Sequence, residues 1–399
     1  MIRLLKYFLY TLFIPFWWIQ RLIPRNENIW VFGAWFGDRF ADNPKALFNY
    51  INNNEPKYKT VWITRNKGLV SEMRKKDLLA YRANSLYGIY YILRANYVIV
   101  CNSKRDVNFL FINGAITVQL WHGIPMKKIN RDVASYTLPL WKKILVEYLF
   151  SFMDEYNYRY YLSNAPIFDE KIKSAFNALE NQIVRAGYPR NDIFFTDVGE
   201  PYITKLRNKY PDSRIIAYLP THRGDYIDGI DYFSKYGYNI EKFNQFLLKN
   251  NLIFLFKGHF YVGGENEIFN YNSIEKRAFQ IGDNDISCVN SFLNNIDILI
   301  TDYSGAYFDF LLSNKPIVLA AFDLEEYIST NRELYFDFHK DINCGSIAYN
   351  WDNVMTEVEN ILKDDSNKKL RTERRDFFHA YPDGGNSKRV FEALKNGTV

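Results

Sequence analysis

Short runs of β-branched and aromatic residues recur along this chain, separated by stretches of helical periodicity. Residues 29–33 (IWVFG), 60–64 (TVWIT), 97–101 (YVIVC) and 116–121 (ITVQLW) have strand length, and helical patterns occupy 43–54, 67–76 and 85–94. This alternation predicts βαβ units built on a parallel sheet. A helical stretch at 139–153 leads to a strand at 158–163 (YRYYLS) and to the turn-rich GYPRND at 187–192. A second series follows, with strands at 214–220, 252–257, 285–289, 297–301 and 316–320 and helices near 240–250, 304–313 and 353–363. The chain therefore reads as two doubly wound α/β halves joined between residues 185 and 212, and its 399 residues suit two domains. Residues 366–396 read as mostly helical, with a turn at 381–385 (YPDGG).

The first 25 residues differ from the rest. Arg3, Lys6, Arg21 and Arg25 flank an apolar run that includes Leu9, Leu12, Phe13, Ile14, Phe16, Trp17, Trp18 and Ile19, and no acid is present. No small-residue cleavage site follows the run, which argues against a secretory leader. Lys6 to Arg21 is shorter than the roughly 20 residues of a bilayer span, and Pro15 is expected to interrupt it. An interfacial segment, with indoles at headgroup depth and cations on anionic lipid, is the expectation. The net charge of +5 fits an anionic substrate or membrane surface and makes no demand for nucleic acid. Cys101, Cys288 and Cys344 are odd in number and widely spaced, which fits a reducing cytoplasm and neither a disulfide framework nor a zinc site.

Ligands of open α/β sheets bind beyond the carboxyl ends of the strands, and there this chain places its unusual polar residues. After 116–121 comes His122-Gly123-Ile124-Pro125, followed by Lys127, Lys128 and Arg131. An imidazole presented there can take a proton near neutral pH, or can simply bond the turn. After 214–220 comes Thr221-His222-Arg223, a hydroxyl and a guanidinium suited to phosphate. After 252–256 comes Lys257-Gly258-His259, again a cation and an imidazole around glycine. The run 297–319 ends a strand at Thr301-Asp302-Tyr303-Ser304-Gly305 and starts a helix at once, a place for an anion or merely for a capping residue. Asp383-Gly384-Gly385-Asn386-Ser387-Lys388-Arg389 offers a further helix start with Arg389. The chain has no GxxxxGK[ST], GxSxG or HExxH, and no Asp-x-Asp pair follows a strand. His, Lys, Arg and hydroxyls without clustered carboxylates suit charge stabilisation of phosphates, with no metal or other cofactor expected.

In this order WHGIPMKK, GYPRND, LPTHR, FKGH, TDYSGAYFDFLLSNKPI and DGGNSKR resemble the motifs of the CDP-glycerol glycerophosphotransferase family, from Trp30 to Leu394. That family includes teichoic acid primases and polymerases and related capsule enzymes. The resemblance implies a GT-B architecture of two Rossmann-like domains facing a cleft. Residues 26–190 would form the acceptor domain and 191–380 the CDP-donor domain, after a membrane-associating segment at 1–25 and before a C-terminal helix at 381–399. It implies a peripheral enzyme on the cytoplasmic face of the bacterial plasma membrane. This enzyme would move a polyol phosphate, glycerol phosphate foremost, from a CDP-polyol to a lipid-linked acceptor. His122 becomes the base, and His259 is placed with the donor phosphates. Arg190, Thr221, Arg223, Lys257, Thr301, Asp302, Ser304 and Arg389 become donor- and phosphate-binding residues. A nucleotide-sugar glycosyltransferase of the same fold and a non-catalytic scaffold of a polymer-export complex are the alternatives. Ribitol or another polyol in place of glycerol, the identity of the acceptor, priming against polymerisation, the oligomeric state and assistance by a divalent metal are left open.

Overall fold

The computed structural model describes residues 2–133, 156–221, 233–258, 276–330 and 333–397, with residues 2–10 as backbone only. The helix predicted at 139–153, together with His222, Arg223 and His259, lies outside the described residues. Two compact units form, one from Met1–Gly123, Ile129–Asp192 and Gly385–Val399, the other from Ile124–Lys128 and Ile193–Gly384.

The first unit holds strands β1 (Asn26–Phe32), β2 (Lys59–Thr64), β3 (Ala80–Arg82), β4 (Ala95–Val100), β5 (Ile116–Gln119), β6 (Tyr160–Ser163) and β7 (Ile183–Arg185). They run parallel in the order β3-β2-β1-β4-β5-β6-β7. The order reverses between β1 and β4, which makes the carboxyl ends of these strands the switch point where a doubly wound sheet takes its ligand. Trp30, Val31, Phe32, Val61, Trp62 and Ile63 are wholly buried. Burial of both faces of the strands is why their sequences read as continuous apolar runs without alternation.

The second unit repeats the plan with β8 (Arg214–Leu219), β9 (Leu252–Phe256), β10 (Ala278–Gln280), β11 (Ile298–Thr301), β12 (Ile317–Ala320) and β13 (Ser346–Ala348). All are parallel, in the order β10-β9-β8-β11-β12-β13, so its switch point lies between β8 and β11. Its core gathers Ile216, Phe254, Ile300 and Val318 around Trp351, on which Phe233 stacks at 5.1 Å between ring centroids. The two parallel sheets place the chain in the GT-B-type α/β class.

Three expectations are corrected. An Asp-x-Asp pair does follow a strand, since Asp283 and Asp285 stand just beyond β10 (Ala278–Gln280), where Asp283 pairs with Lys257 and Asp285 bonds its own turn. Residues 285–288 form a turn in place of a strand, because side chains there satisfy the backbone locally. Glu200 accepts from Ser287 N at 3.0 Å, Asp285 from Gly282 N at 2.7 Å, and the Cys288 thiol from Ser291 N at 3.3 Å, starting a helix at Val289–Asn295. Pro15 does not interrupt the first helix, which runs Ile2–Ile19 through it and forgoes the hydrogen bond that the ring cannot donate.

That helix is seated on its own unit. The Trp17 carbonyl accepts from Asn113 Nδ2 at 2.6 Å, and Gln20 Nε2 donates to the Leu110 carbonyl at 2.8 Å. Leu12, Phe16, Trp18, Ile19 and Leu22 stay exposed. No helix among the described residues is long and apolar enough to cross a membrane. The last helix, Asn386–Asn396, also packs on the first unit. There Tyr97 Oη donates to the Leu394 carbonyl at 2.5 Å, and Phe391 lies 5.6 Å from Trp30.

Candidate active site

Beyond the end of β5 the chain turns sharply, with Trp121 at φ +54° and Gly123 at φ +129°. A tryptophan rarely adopts the left-handed region, so the surroundings must hold it there. Asn43 does so, donating from Nδ2 to the carbonyls of Leu120 at 3.1 Å and Trp121 at 2.8 Å. Between these two outlying residues stands His122. Its ring lies 4.2 Å from that of Trp121 and 5.7 Å from that of Trp35.

His122 Nδ1 lies 3.1 Å from the carbonyl oxygen of Cys101, just past the end of β4 at the switch point. A carbonyl only accepts, so Nδ1 carries the proton and the lone pair sits on Nε2. Nε2 has no hydrogen-bond partner among the described residues. Burial holds the imidazole below its ordinary pKa, while the Cys101 carbonyl and Asp42 pull it up and Arg190 adds to the lowering. The ring is thus neutral near pH 7, with one nitrogen anchored and the other able to accept a proton.

The Cys101 peptide is itself fixed by Asp106, whose carboxylate accepts from Cys101 N at 2.9 Å, Asn102 N at 2.7 Å and Phe36 N at 2.7 Å. Burial pushes this carboxyl up to about 6, against the pull of those backbone groups and of Ser103.

Arg190 meets His122 from the GYPRND segment. Its Nη1 donates to the His122 carbonyl at 2.6 Å and to Asp42 Oδ1 at 2.5 Å, so its guanidinium is engaged inside the unit. Arg389 also belongs to this unit, donating to Asn386 Oδ1 at 2.6 Å and to the Ala186 carbonyl at 3.3 Å. Asp192 accepts from the backbone N–H groups of Asn386 and Ser387, both at 2.8 Å. GYPRND and DGGNSKR therefore interlock. Trp35, Asp42, Asn43 and Asp106 were not singled out from sequence; the available signal was GAWFGDRFADNP, two glycines and a helix start directly after β1.

In the second unit the polar residues meet at its own switch point. Asp302 Oδ1, following β11, accepts from Thr221 N at 2.7 Å and Thr221 Oγ1 at 2.5 Å, following β8. The Thr301 hydroxyl turns inward and donates to the Leu219 carbonyl at 2.7 Å. Ser304 Oγ accepts from Ala306 N at 3.3 Å at the start of a helix of only six residues, Ala306–Leu311. Lys257 Nζ pairs with Asp283 at 2.6 Å. Ile124–Lys128, which follows Gly123, belongs to this unit: Tyr335 N donates to the Met126 carbonyl at 2.9 Å, and Lys127 lies over the Tyr327 ring. The structure thus joins His122 with Arg190, and Thr221 with Asp302. Among the described residues no group of three His, Cys, Asp or Glu side chains could hold a metal ion.

A family model described as CDP-glycerol:poly(glycerophosphate) glycerophosphotransferase matches residues 16–396. A teichoic acid poly(glycerol phosphate) polymerase of Bacillus spizizenii W23 is 31% identical over 80% of this chain and 80% of its own length. A teichoic acid glycerol-phosphate transferase of Staphylococcus aureus NCTC 8325 is 25% identical over 98% of each chain. The alignment covers less than half the length of two longer polymerases, 42% and 43%. Among solved structures, the wall teichoic acid polymerase TagF superposes with a TM-score of 0.72 at 21% identity, covering 94% of this chain and 90% of that one. The motifs, the paired parallel sheets and the match across nearly the whole length agree, and the chain belongs to the CDP-glycerol:poly(glycerophosphate) glycerophosphotransferase family.

Proposed function

We propose that this enzyme transfers glycerol phosphate from CDP-glycerol to a hydroxyl of a lipid-linked precursor of an envelope polymer, teichoic acid or capsule, and releases CMP. The observation that carries the reading is the His122 imidazole, anchored through Nδ1 with Nε2 able to accept. The acceptor oxygen attacks the β-phosphorus in line while its proton passes to Nε2. The bond from that phosphorus to the bridging oxygen breaks, and CMP leaves with the electron pair. Base assistance of this kind is worth about 10²–10⁴-fold in rate, the remainder coming from positioning and electrostatics. His259, Arg223 and Lys257 hold the transferring phosphoryl oxygens, and Ser304 with Thr221 receives the CMP phosphate, while Thr301 and Asp302 tie the strand ends together beneath them.

The proposed location is the cytoplasmic face of the plasma membrane, and the first helix supports peripheral attachment to a membrane surface. That helix exposes Leu12, Phe16, Trp18 and Ile19, and the Arg21 guanidinium sits 4.5 Å from the Trp18 ring. The test is His122→Ala. CMP release from CDP-glycerol in the presence of a lipid-linked disaccharide acceptor should all but vanish while CDP-glycerol binding stays measurable. Unchanged turnover sinks the assignment. Mass spectrometry of the wild-type product separates one added unit from a ladder, and CDP-ribitol in a parallel reaction tests the donor.

A further inference from the structure

Ten described non-glycine residues have positive φ, and seven are Asp or Asn, the types that tolerate it. The other three are aromatic, Trp35 (φ +50°), Phe36 (φ +56°) and Trp121 (φ +54°). Trp35 and Trp121 flank the His122 ring, and Phe36 N bonds Asp106, which fixes the Cys101 peptide. Strain of about 1–3 kcal/mol at each such residue persists only where neighbours enforce it, and it gathers where geometry serves a function. Asn43 holds Trp121 and Asp106 holds Phe36, and Asp42, itself at φ +59°, holds Trp35.

Asp42 opens the helix Asp42–Asn54, where an acid ordinarily caps free backbone N–H groups. Here both oxygens go elsewhere. Oδ1 accepts from Arg190 Nη1 at 2.5 Å and Oδ2 from Trp35 Nε1 at 2.5 Å. The same Arg190 nitrogen donates to the His122 carbonyl, and a Cβ on Gly123 would lie 2.3 Å from Arg190 Nη2. One carboxylate therefore ties down both the backbone that carries His122 and an indole that flanks its ring. The carboxylate side chain is 10% exposed and the guanidinium 14%, so the pair is largely withdrawn from water and holds its geometry better than a surface pair.

We infer that Asp42 is a positioning residue for His122, acting through Arg190 and Trp35 without touching substrate. The inference rests on the reading of His122 as the base. Loss of the carboxylate removes one partner of Arg190, lets Trp35 leave its strained conformation, and loosens the carbonyl that holds Nε2 on line. Displacement of a reacting group by about 1 Å costs on the order of 10²-fold in rate. Because Asp42 acts only through His122, its removal should cost nothing once the imidazole is gone.

The experiment measures CMP release by the full-length chain from CDP-glycerol with a lipid-linked disaccharide acceptor. It compares the wild type, Asp42→Asn, His122→Ala and the double variant. The expected result is a kcat about 10²-fold lower in Asp42→Asn with a donor KM within about threefold, and a double variant no slower than His122→Ala. A purely structural role would slow both backgrounds alike. If Asp42→Asn does not fold, Trp35→Phe, which removes one N–H donor, decides. A kcat loss of about tenfold, absent in the His122→Ala background, supports the inference. Wild-type kcat in the folded variant, or an equal loss in both backgrounds, overturns it. Wild-type turnover in His122→Ala alone overturns the reading of the base itself, and this inference with it.

Discussion

Lowering the pH should weaken the second unit through one buried histidine. His379 is 3% exposed, follows the helix Lys368–Phe378, and places Nε2 2.8 Å from the Phe308 carbonyl. Burial pushes its pKa down to about 4, against the upward pull of that carbonyl. The folded state therefore keeps the ring neutral while the unfolded chain protonates it near 6.5. Stability is complete above the unfolded value and is lost as pH falls through the folded one. Linkage between 6.5 and 4 puts the loss at about 2 kcal/mol by pH 5 and about 3 kcal/mol by pH 4. His379→Gln retains an N–H donor for Phe308 and removes the titration. Urea unfolding of both proteins at pH 8 and pH 5 isolates the effect as a difference of differences. Asp106, raised to about 6, stabilises in the opposite direction as pH falls, but it is common to both proteins and cancels. The wild type should lose about 2 kcal/mol more than the variant over this interval. Parallel curves would refute the argument from burial.

Three further outcomes are expected. Gly123→Ala, at φ +129° with its new methyl against Arg190, should lower kcat by about 10²-fold, whereas Gly237→Ala, at φ +77° with nothing within 4 Å, should cost about 1 kcal/mol of stability and leave activity intact. CMP-release assays and thermal unfolding of the two variants check the contrast. Because burial holds His122 below 6.5, the acidic limb of kcat/KM should fall below the ordinary histidine value; a limb at or above it would contradict the neutral-base assignment. Asp302→Ala removes the carboxylate acceptor of the Thr221 hydroxyl and amide, and should raise the KM for CDP-glycerol about tenfold with little change in the first unit's unfolding, measured by donor titration and hydrogen exchange.

The long central strands were legible because helices cover both sheet faces, so β1, β2, β4, β8, β9, β11 and β12 each carry an unbroken apolar stretch. The edge strands β3, β7, β10 and β13 have three residues each, too few for any periodicity to register. Residues 285–288 read as a strand because Ile286 and Cys288 are strand formers, whereas the carboxylates of Asp285 and Glu200 bond the backbone there instead. At the site, His122, Thr221 and Asp302 could be picked out by standing directly after strands. Asp42 and Trp35 could not, since their role depends on left-handed backbone and on Arg190, 148 residues further along. Nor does the sequence show that the Thr301 hydroxyl faces inward to Leu219.

The return of Asn386–Asn396 to the first unit has a consequence for biosynthesis. Phe391 and Leu394 belong beside Trp30 and Tyr97, yet they leave the ribosome roughly 200 residues after Asp192, which at 5–20 residues per second is a delay of about 10–40 s. Throughout that interval the nascent first unit exposes the apolar surface that this helix will cover, while the second unit has its own strands in hand and can close. The half made first is therefore finished last, and a stalled or shortened chain would leave its defect at the opposite end from the missing residues.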